Sequence, residues 1–401
     1  MKKTPFTALT SRPNSLITSP TAMSRLAVAV LCAALVVVSA GCVPCPPAVP
    51  RYRLQYLGQA VLAKPTIFEG TVVGGLSAIS YDPGRDRYYV ISDDRSAHGP
   101  ARFYTVALSV SDRGVDQATI TAVQPLLDTA GREFGPGDFA ATPPVIPPDP
   151  EGIAFDALRQ RLYWSSEGER RTHGPRAAVL ADPWVRIARL DGAYVGQFVL
   201  PPQLVMSAQH TGPRRNTALE GLTLTPDGTM LFAAMEGPGY NDGPLPDREH
   251  GALTRVTAYR LDSEDVSATP VGQYAYPLEP ATAPAQTNGL TDLVALTNST
   301  FLVIERAFGD HPTVRLYAAD LSGATDVLDM AELRAAPVTA MAKTLVADLA
   351  DFPGLDPVDN IEGITLGPRL SDGRQTVVLV SDNNFSSRQV TQFLVFAMSP
   401  N

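Results

Sequence analysis

The chain is poor in cysteine. Three of its 401 residues are cysteines, and these three, Cys32, Cys42 and Cys45, all lie within the first 45 positions. The rest of the chain must therefore fold without an internal disulfide bond. Its stability has to come from a hydrophobic core, which a domain of this size can supply.

Clusters of positive charge are also missing. The formal net charge is −9, the isoelectric point is about 5.1, and no run of five or more lysine and arginine residues occurs. A nucleic-acid-binding protein needs a basic patch, so this composition argues against that class. The 36 prolines and 31 glycines are spread along the chain, a distribution that favours many short strands over long helices.

Several catalytic and cofactor-binding motifs are absent. The sequence has no Walker A motif and no dinucleotide fingerprint. Gly75-Leu-Ser-Ala comes nearest to a nucleophile elbow but lacks the second glycine. The five histidines are scattered, and none forms the i, i+4 pair of a zinc-binding helix. Nucleophilic serine chemistry and zinc chemistry are therefore not indicated.

The first 42 residues are interpreted as a signal peptide. Residues 26–40 form a continuous apolar run, too short for a bilayer span of about 20 residues but typical of a signal-peptide core. The run ends in Ser39-Ala40-Gly41-Cys42, which resembles a bacterial lipobox except at Ser39. We expect an exported cell-envelope lipoprotein with a proline-rich tether over residues 43–52. The alternatives are a secreted or periplasmic product of an ordinary signal peptide, or an uncleaved anchor.

One motif recurs along the rest of the chain. A glutamate and a glycine begin an apolar strand, a turn follows, and a second apolar strand ends in an acidic residue. Complete copies run from Glu151 to Glu167, from Glu220 to Glu236 and from Glu362 to Asp382, and variants run from Gly75 to Asp93 and from Gly289 to Glu305. The spacing of roughly 70 residues exceeds that of a compact propeller blade, so each unit carries long loops.

The units also contain third strands, and fourth strands follow several of them. The last unit stops after its third strand, whereas the N-terminal segment Tyr56–Leu62 resembles the fourth strands Val195–Pro201 and Val271–Pro277. This segment can therefore complete the last unit and remove an open sheet edge. We predict an all-β fold, a β-propeller of about five four-stranded blades over residues 53–401, closed by the N-terminal strand.

Two alternatives to this architecture are considered. A sixth blade could lie within Ser322–Asp359, although Asp329–Lys343 has a more helical pattern than a stranded one. A β-sandwich or a pair of smaller β domains is the other alternative, and the in-phase repeat makes it the weaker one.

The repeat predicts a ring of acidic side chains at one mouth of the channel. Inner strands begin at this rim, and each antiparallel second strand returns its last residue to it. The candidate metal ligands are Asp93, Glu151, Glu167, Glu236, Asp292, Glu305 and Asp382. Clustered like charges need neutralisation by arginine or by a cation, and oxygen donors suit Ca²⁺. Alternatively, each carboxylate only caps backbone amides in its own blade.

Further candidates follow from the same segments. A general base and groups that neutralise developing negative charge are required for ester hydrolysis. The candidates for these catalytic roles are Glu220, Glu362, Arg306 and Arg95. The candidates for substrate binding are Asn360, Asn383 and Asn384.

These motifs resemble the phytase-like propeller family, described as having esterase-like activity of phytase. The resemblance covers residues 54–398 and rests on five motifs in order. They are Gly74-Gly-Leu-Ser, Pro150-Glu-Gly-Ile-Ala, Leu219-Glu-Gly-Leu-Thr, Ile304-Glu-Arg and Asn360-Ile-Glu-Gly-Ile. The resemblance implies a secreted or envelope propeller that acts on phosphoesters or related esters with calcium.

Three functions are compatible with the sequence. The first is Ca²⁺-assisted hydrolysis of a small phosphate ester or other ester by a monomer, attached to the membrane only through its lipid. The second is a non-catalytic propeller lipoprotein that binds a ligand or a protein, because a fold does not determine a function. The third is a lactonase or sugar-acid esterase.

Overall fold

The computed structural model describes residues 49–401 except 174–176, 263–265, 283–285, 310–311 and 356. The predicted signal peptide, the lipobox at Cys42 and most of the tether lie outside the described residues. Among the described residues, no helix has the length and apolar character needed to cross a membrane.

The strands form five four-stranded antiparallel sheets, which are the blades of a propeller. The chain begins with β1 (Tyr52–Val61), followed by a small hairpin of β2 (Ile67–Phe68) and β3 (Thr71–Val72). Blade one contains β4 (Leu76–Asp82), β5 (Arg87–Ser92), β6 (Arg102–Ser111) and β7 (Gly114–Pro125).

Blade two has an extra hairpin inserted before its third strand. The blade is formed by β8 (Pro150–Asp156), β9 (Arg161–Ser166), β12 (Trp184–Arg189) and β13 (Tyr194–Gln197), and the hairpin by β10 (Glu169–Arg171) and β11 (Val179–Ala181). A short 3-10 helix, Pro202–Leu204, follows. Blade three consists of β14 (Leu219–Leu224), β15 (Met230–Met235), β16 (Ala252–Arg260) and β17 (Pro270–Leu278).

Blades four and five complete the ring. Blade four contains β18 (Asn288–Ala295), β19 (Thr300–Ala307), β20 (Thr313–Asp320) and β21 (Ala342–Asp348), and a 3-10 helix, Leu349–Asp351, follows. Blade five contains β22 (Ile361–Arg369), β23 (Gln375–Ser381) and β24 (Gln392–Pro400). Its fourth strand is β1, paired antiparallel with β24 from Tyr52 opposite Pro400 to Val61 opposite Gln392. The predicted closure is confirmed.

The segment Ser322–Asp359 differs from its prediction. The described residues of this segment contain neither a sixth blade nor an α-helix; turns lead into β21, the fourth strand of blade four. Pro337 interrupts the helical pattern because proline breaks a helix interior. The apolar residues that produced this pattern, such as Leu333, instead pack against Ala275 of blade three.

The second strands of the blades carry the most apolar sequences. In β23, Val377–Val380 are all buried, and so are Phe301–Ile304 in β19. Such short continuous apolar runs are typical of strands covered on both faces. The clusters that they form join neighbouring blades; one contains Leu302 of blade four together with Leu379 of blade five.

The repeated glycine allows the inner strands to approach each other closely. A Cβ atom on Gly152 would lie 2.3 Å from the Glu220 carbonyl oxygen, and one on Gly221 would lie 2.8 Å from the Cα of Asp292. Real Cβ atoms do not tolerate such contacts, so only glycine fits at these positions. The glutamate before each glycine is thereby held at the channel wall.

Candidate active site

The pairing register of the first and second strands identifies the equivalent rim positions in the five blades. Ile79 lies opposite Val90, Ile153 opposite Trp164, Leu222 opposite Ala233, Leu293 opposite Val303 and Ile364 opposite Leu379. Counting back two residues on each inner strand gives Ser77, Glu151, Glu220, Thr291 and Glu362. Counting forward three residues on each second strand gives Asp93, Glu167, Glu236, Arg306 and Asp382. Three glutamates and four further acids therefore occupy equivalent positions in the five blades.

The acidic residues of blades one to three form a compact cluster. Ligand oxygens of Asp93, Asp149 and Glu151 lie within 4.8 Å of one another, and so do those of Glu151, Glu167 and Glu220. Glu151 belongs to both trios. The cluster could hold a cation, because carboxylate oxygens at this separation can share one.

Burial makes this cluster electrostatically unfavourable when it is fully ionised. It raises the pKa of the carboxyl groups of Asp93, Glu151, Glu167 and Glu220 well above their usual range, and neighbouring carboxylates raise the pKa further. Buried like charges need protons or a counterion to coexist. The site is therefore suited to a positively charged ligand.

Asp149 belongs to this cluster but is not among the candidates from the sequence. Its carboxylate pairs with Arg95, whose Nε donates to Asp149 Oδ1 at 2.5 Å. A signal for it does exist in the repeat, because Asp149 precedes Glu151 by two residues just as Asn360 precedes Glu362. The aspartate thus occupies the position that the amide holds in blade five.

Arg306 dominates the other side of the rim. Its Nη1 contacts both Asn360 Oδ1 and Glu362 Oε1, and its Nη2 lies 3.1 Å from Glu236 Oε1. Asn360 in turn donates through Nδ2 to Glu362 Oε1 at 3.0 Å. Burial raises the pKa of Glu236 and of Glu362, and Arg306 opposes that shift.

Two buried donors at this side have no hydrogen-bond partner among the described residues. They are Arg306 Nε and the Thr291 hydroxyl group, which occupies the glutamate position of blade four. Unsatisfied buried polar groups are uncommon and costly. The rim therefore offers hydrogen-bonding capacity to a ligand on the arginine side as well as negative charge on the acidic side.

Arg95 lies at the edge of the rim rather than at its centre. Besides Asp149, its guanidinium donates to Asn216 Oδ1 at 2.9 Å and lies 3.7 Å from Glu169. About 29% of its side chain is exposed. It therefore neutralises the acidic cluster from the loop side and links blade one to the loops of blades two and three.

The expected rim positions of two residues need correction. Glu305 accepts hydrogen bonds from the Tyr276 hydroxyl at 2.8 Å, the Glu279 amide at 2.9 Å and Asn288, and pairs with Lys343. It faces the outer strands because the register places its neighbour Arg306 at the rim, and adjacent residues of a strand point to opposite faces.

Asp292 is the second corrected residue. It occupies the position that glycine holds in three other blades, one residue further along the inner strand than the rim position of Thr291. Its carboxylate accepts from the Leu293 amide and from the Ile364 amide, each at 2.9 Å. Burial raises its pKa well above the usual range. The contact with Leu293 lies within blade four, as in the capping alternative, whereas the contact with Ile364 links the inner strands of blades four and five.

The three asparagines have different surroundings. Asn360 contacts Arg306 and Glu362 directly, as described above. Asn383 is buried, and its Oδ1 accepts from the Gly75 amide at 3.2 Å and from the Phe385 amide at 2.9 Å. Asn384 is exposed, and its backbone N–H donates to Asp382 Oδ1 at 2.7 Å. Asn383 therefore orders the loop after β23, whereas Asn360 belongs to the Arg306 network.

Comparison with known families identifies one match. The phytase-like family model, described as esterase-like activity of phytase, matches residues 71–385. The matched segment contains every rim residue named above. No curated protein matches the chain significantly.

Solved structures are similar only at low identity. The periplasmic gluconolactonase PpgL of Pseudomonas aeruginosa is 11% identical, with 81% of this chain and 89% of that chain covered and a TM-score of 0.35. The gluconolactonase XC5397 of Xanthomonas campestris is 10% identical, with 88% and 98% covered and a TM-score of 0.33. The exo-beta-1,3-galactanase of Phanerochaete chrysosporium is 12% identical, with 85% and 64% covered and a TM-score of 0.40.

Proposed function

The chain belongs to the phytase-like family, and on that premise we propose that its rim hydrolyses a phosphate ester or another small ester with the help of a bound Ca²⁺ ion. One observation carries the proposal: Glu151 is shared by two trios of closely spaced carboxylates. The carboxylates within each trio would repel one another without a counterion.

The donor set fits a hard divalent cation. All its ligand atoms are carboxylate oxygens, the donors that Ca²⁺ prefers, and Ca²⁺ accepts six to eight of them in flexible geometry. Asp93, Asp149, Glu151 and Glu167 would hold the ion, with Glu220 beside them. When bound, a divalent cation polarises an ester oxygen and makes bound water more acidic.

The chain's own residues would supply the remaining chemistry. Glu220 is the proposed general base. Its carboxyl group interacts electrostatically with Glu167 in the acidic cluster and with Arg306 on the other side. A raised pKa suits a group that must accept a proton near neutral pH. Arg306 would stabilise negative charge on the reacting ester, and Asn360 would orient Glu362 beside it.

A panel of chromogenic esters tests this function. We expect 4-nitrophenyl phosphate or 4-nitrophenyl acetate to be hydrolysed, hydrolysis to be lost in a chelator and restored by Ca²⁺, and Glu220→Gln to reduce kcat by at least about 100-fold. The exposed Glu332→Gln is a charge-matched control. Ca²⁺ binding without turnover of any ester would favour the alternative, a propeller that binds a ligand without catalysis.

Export and lipid attachment are part of the proposal. The apolar run before Cys42 supports a lipoprotein signal, and the modified cysteine would tether the monomeric propeller to the envelope. Cys42→Ala should move the protein from the membrane fraction to the soluble fraction of expressing cells. A variant that stays in the membrane fraction would argue for an uncleaved anchor instead.

A further inference from the structure

A pocket of about 320 Å³ lies beside the rim, outside the acidic cluster. It is bounded by the chain that follows β1 and by the loop that follows β23. Its apolar walls include Leu62, Val72, Val73 and Phe385. Asn383, the residue after Asp382 of the rim, also lines it, so the pocket and the rim are neighbouring parts of one surface.

Phe385 is held in place by unusual local structure. Asn384 and Phe385 have φ angles of 46° and 49°, a left-handed conformation that non-glycine residues rarely adopt. The Phe385 ring lies against the backbone at Gly74, where an added Cβ would be 2.8 Å from Cδ1. It also stacks on His98, with ring centroids 4.1 Å apart. Such strain persists only where the surroundings enforce it, and it is common at ligand sites.

Six of the twelve residues that line the pocket have polar side chains: Lys64, Thr66, Asn383, Ser386, Ser387 and Thr391. Thr391 is buried, lines the pocket, and its hydroxyl group has no hydrogen-bond partner among the residues that the structure describes. The Lys64 ammonium group donates to the Ser386 carbonyl oxygen at 2.8 Å, so part of its hydrogen-bonding capacity is already used. Apolar walls combined with a buried hydroxyl group that has no partner match the usual construction of a small-molecule site.

We propose that this pocket binds the organic part of the substrate, specifically an uncharged ring of about six atoms that carries one oxygen. The apolar walls and the Phe385 ring contact the ring of the ligand, and the Thr391 hydroxyl bonds its oxygen. The ester group of the same molecule then lies toward Asp382 and the rim. This inference rests on the proposed function for the substrate's ester, but the existence of the binding site does not.

A direct binding measurement tests the pocket without any turnover. Titration of the full-length protein with benzyl alcohol, followed by ligand-detected NMR, should give saturable binding. Phe385→Ala should weaken it by at least about tenfold through lost contact, and the isosteric Thr391→Val by roughly fivefold through the lost hydrogen bond. Thr391→Ser should retain binding, and Leu158→Ala, an exposed apolar residue away from the pocket, should leave it unchanged.

The outcomes separate this inference from the proposed function. Absence of binding, or equal binding by wild type and Thr391→Val, would contradict the proposed binding site. If esters are hydrolysed, Phe385→Ala should raise KM for benzyl esters but not for methyl esters, whereas Glu220→Gln should lower kcat for both. Binding of benzyl alcohol with no ester hydrolysis would remove the proposed function and leave the pocket established.

Discussion

Arg306 donates a hydrogen bond to Glu362 across the boundary between blades four and five. It occupies the position at which the other four blades place Asp93, Glu167, Glu236 and Asp382. One of ten equivalent rim positions is thus cationic, and it contacts the acids on both sides. This exchange divides the rim into an acidic side, suited to a cation, and a mixed side, suited to a polar or anionic group.

Removal of this arginine should be strongly destabilising. Arg306→Met leaves Glu236 and Glu362 buried without their cation, and loss of one partner from such a network costs about 3–5 kcal/mol. Urea unfolding should measure the loss, and the exposed Arg388→Gln should have no comparable effect. Adding Glu362→Gln to Arg306→Met should recover part of the stability; additive losses would mean that the two side chains do not interact.

Stability of the metal-free protein should fall as the pH rises. Burial raises the pKa values of Glu151, Glu167 and Glu220 in the folded state. The folded protein then holds protons that the unfolded chain loses above its pKa of about 4.3, so this contribution is complete at lower pH and is lost as pH rises through the folded-state pKa.

The comparison of wild type with Glu220→Gln isolates this effect. Their Tm values should agree near pH 4 and diverge toward pH 8, where the variant should be the more stable. One unit of pKa shift corresponds to about 1.4 kcal/mol. Ca²⁺ should raise the wild-type Tm more at pH 8 than at pH 5, because ionised carboxylates bind it better. A Ca²⁺ effect that is independent of pH would contradict the acidic cluster as its site.

The repeat predicted the blades and their closure but not every rim residue. Its apolar runs and the match of Tyr56–Leu62 to other fourth strands required only local patterning. The last acidic residue of a second strand predicts the rim residue less reliably. An error of one residue in the strand register places a side chain on the opposite face of the sheet. For this reason the sequence predicted Glu305 at the rim position that Arg306 occupies in the structure.

Other features depend on contacts between distant segments. Asp292 lies at a local irregularity of β18. The pairing register with β19 shifts by one residue between Leu290 and Asp292. The position of Phe385 depends on its positive φ, on Gly74 and on His98, which the chain brings together only after the ring closes. No sequence period encodes such contacts.

The glycine after each rim glutamate should be required for packing. The Cβ of Gly152→Ala would lie 2.3 Å from a backbone oxygen, which forces the inner strands of blades two and three apart. We expect a loss of about 1–3 kcal/mol in thermal or urea unfolding. Gly135→Ala, where no atom lies within 4 Å of an added Cβ, is the matched control. Equal stability of the two variants would show that the strands can separate at no cost.

Asp149 provides the sharpest test of the acidic cluster, because it is not among the candidates from the sequence. Asp149→Asn preserves the shape of the side chain and removes one charge from the trio with Asp93 and Glu151. Ca²⁺ affinity, measured by calorimetry, should fall by at least about tenfold, a loss typical of damage to a metal site. Glu305→Gln alters an equally buried acid whose contacts lie on the outer strands, and it should leave the affinity unchanged. A larger loss in Glu305→Gln than in Asp149→Asn would move the cation away from blades one to three.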